Sequence, residues 1–186
     1  MDTVKRTFAA FVEILEVAAI AVVTVLLVRS FLVQPFLVNG ASMEPNFSNN
    51  NYLLVDELTY RFREPERGEV VVFRYPGDES TFYIKRMIGL PGERVVIKNN
   101  EVIVYNKNNS NGLTLDEKYL PSGLMTRGDT DKTLESNEYF VLGDNRSYSF
   151  DSRSWGILPQ KDIIGLVRLR LWPINEVRAF VAPSYP

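Results

Sequence analysis

The chain has 186 residues, 21 Lys and Arg against 23 Asp and Glu, a net charge of −2, and neither cysteine nor histidine. That length suits one domain with a short extra element, and the near-neutral charge gives no general pull toward nucleic acid. The missing residue types exclude disulfides, Cys nucleophiles, zinc sites of the usual Cys/His kind and any Ser-His-Asp triad, so hydrolytic chemistry here rests on Ser, Thr, Lys, Tyr or carboxylates.

From Phe8 to Val33 the chain is apolar except for Glu13, Glu16, Thr24, Arg29 and Ser30. At ~1.5 Å per residue a helix over that stretch spans roughly 39 Å, more than the ~30 Å hydrocarbon core of a bilayer. Its uncharged part, Val17 to Val28, is too short to span alone. Lys5 and Arg6 precede it and orient the N-terminus toward the cytoplasm. A membrane anchor, a cleaved secretory signal and a buried core helix all fit such a stretch. Asn39-Gly40-Ala41 makes a poor cleavage site, which favours the anchor.

After Pro35 the pattern turns to strands. Residues 52–55, 69–73, 82–88, 94–97, 102–105, 139–142 and 163–171 are short runs rich in β-branched and aromatic residues, punctuated by Gly and Pro. Lys98-Asn99-Asn100-Glu101 reads as a hairpin turn. The expected fold is mainly β, an antiparallel β-sheet domain over 36–186 with a single N-terminal transmembrane helix within 1–35. Residues 106–138 are polar throughout and read as a peripheral insertion.

Two segments draw attention for chemistry. In Asn39-Gly-Ala-Ser-Met-Glu-Pro45, small residues flank Ser42, a setting that suits either a nucleophile near free backbone amides or an ordinary turn. In Tyr83-Ile-Lys-Arg-Met-Ile88, alternation puts Lys85 on one face with Tyr83 and Met87. Among apolar neighbours its pKa falls and the neutral amine can act as a base; at a sheet edge it would merely snorkel. A third segment, Gly143 to Arg153, is dense in hydrogen-bonding groups. Arg146 and Arg153 would keep Asp144 and Asp151 ionised, which argues against an aspartic dyad, while Ser149 offers a hydroxyl to orient the lysine.

In order along the chain, these segments resemble those of the bacterial type I signal peptidases, membrane-anchored Ser/Lys proteases. Arg29 to Phe36 is similar to the stretch leaving the membrane, Ala41-Ser-Met-Glu-Pro45 to the nucleophile box, and Arg67 to Phe73 to a strand box. Tyr83 to Val95 is similar to the lysine box and Gly143 to Arg153, with Gly156 and Pro159, to the last box. Trp172-Pro173 resembles the closing segment of shorter members.

The resemblance implies a serine endopeptidase that cleaves signal peptides from secreted preproteins on the outer face of the cytoplasmic membrane. Ser42 would be nucleophile and Lys85 general base. Ser149 would place the lysine, Asp151 and Arg153 would form a structural ion pair, and Phe36, Val38 and Ile84 would line pockets for small substrate residues. The expected partners are preproteins and the lipid bilayer, with no nucleic acid, metal or cofactor. Two positions depart from the pattern: Gly40, where some members carry a serine, and Asn46, where threonine is usual. Another Ser/Lys hydrolase of related fold, or a non-catalytic tethered β domain that binds secretory partners, remains the alternative.

Overall fold

The structure, a computed structural model, describes residues 2–31, 33–183 and 185, and opens with a helix, α1, over Asp2–Phe31. Within α1, side chains are described for residues 11–25, and all are exposed, including Phe11, Ile14, Val17 and Ile20. Among the described residues no helix is long and apolar enough to cross a membrane. The flanking charges Lys5, Arg6 and Arg29 lie outside the side chains described.

The strands that follow are β1 (Val33–Leu37), β2 (Tyr52–Asp56), β3 (Val70–Tyr75), β4 (Asp78–Gly89), β5 (Arg94–Lys98) and β6 (Glu101–Tyr105). After them come β7 (Leu113–Thr114), β8 (Thr130–Thr133), β9 (Glu138–Leu142), a short helix α2 (Ser152–Trp155), β10 (Leu158–Pro159), β11 (Ile163–Trp172) and β12 (Arg178–Ala179). They form two sheets. The larger runs β1-β2-β11-β3-β4-β9-β10 with β12 on β11; the smaller runs β7-β6-β5-β8. All pairings are antiparallel.

The unbroken apolar run Val70-Val-Val-Phe73 has a simple cause. Val70 and Val72 bury on one face of the larger sheet with Val38, Met43, Phe47 and Leu53, whereas Val71 and Phe73 bury on the other with Met87 and Tyr139. A strand covered on both faces has no polar side to show. β4 is longer than its apolar part because Pro76-Gly77 closes a tight hairpin in which Tyr75 pairs with Asp78. In the β5–β6 hairpin both Asn99 (φ 53°) and Asn100 (φ 65°) take the left-handed conformation that a two-residue connection of this kind requires.

The smaller sheet packs on the larger through Ile88, Val95, Val104, Phe140 and Leu142. The polar stretch 106–138 is anchored to it at both ends. β7 pairs with β6, β8 pairs with β5, and Leu115 and Leu134 bury in the shared core. Its middle, residues 115–129, runs back toward the larger sheet.

Candidate active site

Ser42 sits in the loop between β1 and β2. Its neighbour Met43 and the nearby Phe47 are buried in the core, so the loop is pegged down while Ser42 stays partly accessible. Gly40 adopts φ 109°, a conformation side chains resist, and its amide donates to Asn49 Oδ1 at 2.9 Å. The amide of Phe47 donates to Met43 O at 2.9 Å, closing the turn behind the serine.

Lys85 lies on β4, opposite Val71, and is 3 % exposed. Its Nζ donates to Ser42 Oγ at 2.7 Å and to Ile84 O at 2.9 Å. The Tyr83 ring centroid is 5.3 Å away. Burial among these groups pushes the amine down to about 8, against the opposing pull of the Asp151 and Asp144 carboxylates. Desolvation wins because a buried ammonium loses hydration that two neighbouring charges only partly replace.

The Gly143–Arg153 loop packs against the backbone of Ser42. The Asn145 amide donates to Ser42 O at 3.0 Å, and Asn145 Nδ2 donates to Ala41 O at 3.0 Å. Gly143 fits because it lacks a side chain: a Cβ there would collide with Ser42 O and Ser149 Oγ.

Asp151 is fully buried. It accepts from Arg153 Nε and Nη2, both at 2.8 Å, and from the Gly143 amide at 3.0 Å. Burial by itself would raise its pKa, but Arg153 and the Gly143 amide together hold it below the usual carboxylate range. Asp151 also caps α2, accepting from the Arg153 amide at 3.2 Å.

Ser149 Oγ is buried and makes no well-formed hydrogen bond, to Lys85 or to any other described group. It lies near Asp151 and beside Gly143.

The carboxylate pairing differs in part from what sequence adjacency suggests. Asp144 is held by Arg86, with Nε–Oδ1 at 2.8 Å and Nη2–Oδ2 at 2.6 Å, and not by Arg146. Arg146 turns away to pair with Glu117. Sheet register decides this: Arg86 pairs with Leu142 across β4 and β9, which delivers its guanidinium to the residue two further on.

A cavity of about 310 Å³ opens beside Ser42 and Lys85. Phe36, Val38 and Ile84 all line it, with Leu53 and Val72. Phe82, whose ring lies 5.8 Å from that of Phe36, together with Tyr148 and Phe150, completes its rim. Sequence reasoning missed these three, since an exposed aromatic carries no local mark of the loop it faces. Among the described residues no cluster of His, Cys, Asp or Glu could hold a metal ion.

The arrangement joins a hydroxyl, a poorly solvated amine and an apolar slot, which is the equipment of a serine hydrolase with a lysine base. Comparison with known proteins agrees in kind. The family described as "Signal peptidase, peptidase S26" matches residues 11–172. Signal peptidase I P of Bacillus subtilis subsp. natto is 35 % identical over 188 residues, covering 95 % of this chain and 97 % of that protein. A probable signal peptidase I-2 of Synechocystis is 36 % identical over 163 residues, covering 84 % and 71 % respectively. Signal peptidase IB of Staphylococcus aureus is 33 % identical over 177 residues, covering 86 % and 88 %. A crystal structure of a signal peptidase I from Enterococcus faecalis V583 aligns with a TM-score of 0.47 at 29 % identity, over 56 % of this chain and 97 % of that one. The chain belongs to the signal peptidase family of S26 peptidases.

Proposed function

We propose that this chain is a membrane-bound serine endopeptidase that removes N-terminal signal peptides from secreted preproteins, with Ser42 as nucleophile and Lys85 as general base. The observation that carries the reading is the 2.7 Å contact between Lys85 Nζ and Ser42 Oγ at the mouth of an apolar cavity. With its pKa near 8, roughly one amine in ten is uncharged at pH 7. The neutral amine takes the Ser42 proton as Oγ attacks the scissile carbonyl. Among the described residues the Ser42 amide donates to no protein acceptor, which leaves it free to hold the oxyanion. The lysine, now an ammonium, protonates the leaving amine; a water deprotonated by the regenerated amine then hydrolyses the acyl-enzyme.

Phe36, Val38 and Ile84 form the slot for small side chains before the scissile bond, and a larger side chain clashes there. The Asp151–Arg153 pair holds the loop that faces the lysine, and Ser149 lies in that loop beside Gly143. The β domain over 36–186 is the catalytic unit. The segment within 1–35 is a single-pass anchor in the cytoplasmic membrane, with the N-terminus inside and the β domain outside. The exposed apolar side chains described along α1, among them Phe11, Ile14, Val17 and Ile20, support that reading. Anchoring confines enzyme and membrane-borne substrate to one thin layer, raising effective concentration with no new contact.

The test is processing of a signal-bearing preprotein by the purified full chain, with sequencing of the new N-terminus. Cleavage after a small residue, abolished in folded Ser42→Ala and Lys85→Ala, is the expected result. Unimpaired cleavage by both variants overturns the dyad, and no cleavage by the parent chain points to a non-catalytic binding domain.

A further inference from the structure

The sequence marks the polar stretch 106–138 as peripheral, and the proposed chemistry uses none of it. Its middle nevertheless reaches the loops on both sides of Ser42. Arg146, whose side chain is fully buried, is gripped by it: Nη1 donates to Glu117 Oε2 at 2.6 Å and to Thr126 Oγ1 at 2.5 Å, and Nη2 donates to Glu117 Oε1 at 2.5 Å and to Tyr119 OH at 3.1 Å. The remaining nitrogen, Nε, donates to Gly143 O at 3.0 Å. Between Gly143 and Arg146 stands Asn145, whose amide and side chain hold Ser42 O and Ala41 O.

A second tether arrives from the other side. Asn46 Nδ2 donates to Tyr119 O and to Asp144 Oδ2, both at 2.9 Å. Asn46 is joined to Ser42 through the tight turn that the Phe47 amide closes on Met43 O. The Tyr119 ring also lies 4.0 Å from the Arg86 guanidinium, which in turn grips Asp144.

We infer that residues 117–126 clamp the nucleophile loop and the facing loop together, and that Asn46 and Glu117 are positioning residues for Ser42. The inference rests on the reading of Ser42 as nucleophile. Three features favour positioning over plain stability. The contacts end on Arg146, whose Nε holds Gly143 O, and on Asn46 in the turn carrying Ser42. A buried ion pair contributes little net stability compared with apolar packing, so its value lies in geometry. At position 46 only a side chain with two N–H donors reaches both acceptors; a threonine hydroxyl, with one proton, satisfies one of them.

Steady-state kinetics of the full chain on a signal-bearing preprotein test this. Asn46→Ala lowers kcat about tenfold with KM held within about twofold, because a nucleophile shifted by a fraction of an ångström still lets substrate bind. Asn46→Thr, with one tether kept, falls between parent and Asn46→Ala. Glu117→Gln lowers kcat in the same manner, and the double variant loses less than the product of the two single losses, as expected for one shared clamp. Should Glu117→Gln fail to fold, the Asn46 pair decides, since that half-buried residue leaves no charge stranded. Ser42→Ala is assayed alongside. If it is inactive and Asn46→Ala keeps parental kcat, the clamp is overturned alone. The clamp is likewise overturned if the Asn46→Ala loss disappears on assay well below its unfolding temperature. If Ser42→Ala cleaves normally, both readings fall.

Discussion

The carbonyl oxygen of Ser42 accepts a hydrogen bond from the Asn145 amide at 3.0 Å, so the backbone of Ser42 is fastened to a loop more than a hundred residues further along the chain. This bond runs beside Gly143, where any side chain would strike Ser42 O and Ser149 Oγ. Because Ser42 O is already held, it cannot yield to an added methyl group. Gly143→Ala therefore costs about 1–3 kcal/mol in stability and about a hundredfold or more in kcat. Denaturant unfolding and preprotein cleavage measure the two effects separately. A variant that keeps parental kcat contradicts the tight approach.

Activity is expected to depend on pH through Lys85. Its folded pKa, lowered to about 8, means the amine is mostly protonated below that value. The rate kcat/KM is expected to fall about tenfold for each pH unit below it and to level above. A flat profile down to pH 5 is inconsistent with a lysine base.

The same residue weakens the fold. The folded pKa lies below the unfolded value of 10.5, so between about 8 and 10.5 the unfolded chain binds the extra proton, and stability rises with pH across that window. Below it the full cost applies, on the order of 3 kcal/mol at ~1.4 kcal/mol per unit. Lys85→Met is therefore inactive yet more stable than the parent at pH 7, less any loss from the hydrogen bonds to Ser42 Oγ and Ile84 O. The advantage shrinks as pH approaches 10.5. Thermal unfolding at pH 7 and 10 reads this directly.

Asp151 behaves in the opposite sense. Its folded pKa is held below the ordinary 3.8, so it contributes stability above 3.8 that is lost as the pH falls beneath that value. Arg153→Ala strands a buried carboxylate and costs about 3–5 kcal/mol at pH 7. Urea unfolding at pH 7 and pH 3 distinguishes the two effects.

The slot beside Ser42 predicts a change in selectivity. Ile84→Ala widens it at the wall formed by Phe36, Val38 and Ile84. Cleavage after valine rises relative to alanine by about 10–200-fold in kcat/KM, the range for a methylene or two in an apolar pocket. Competition between two preproteins that differ only at the residue before the scissile bond gives the ratio.

Short-range physics made much of this molecule legible in advance. Strand runs, the Asn99-Asn100 turn and the face on which Lys85 lies all follow from side-chain period, β-branching and turn chemistry, which act over a few residues. The pairing of Ser42 with Lys85 and the lining of the slot by Phe36, Val38 and Ile84 came from family resemblance, since neither is encoded within any one segment.

What the tertiary structure alone decided are the long-range partners. Arg86 takes Asp144, 58 residues away, and Arg146 takes Glu117, 29 residues away, because strand register and loop crossing determine which groups meet once water is excluded. Adjacency in sequence had suggested Arg146 for Asp144. The stretch 106–138 looks peripheral by composition, since its polar residues mark solvent in a linear reading. Folded, the same residues supply hydrogen bonds to a buried guanidinium, a role visible only when Arg146 is seen to have no water left to bind.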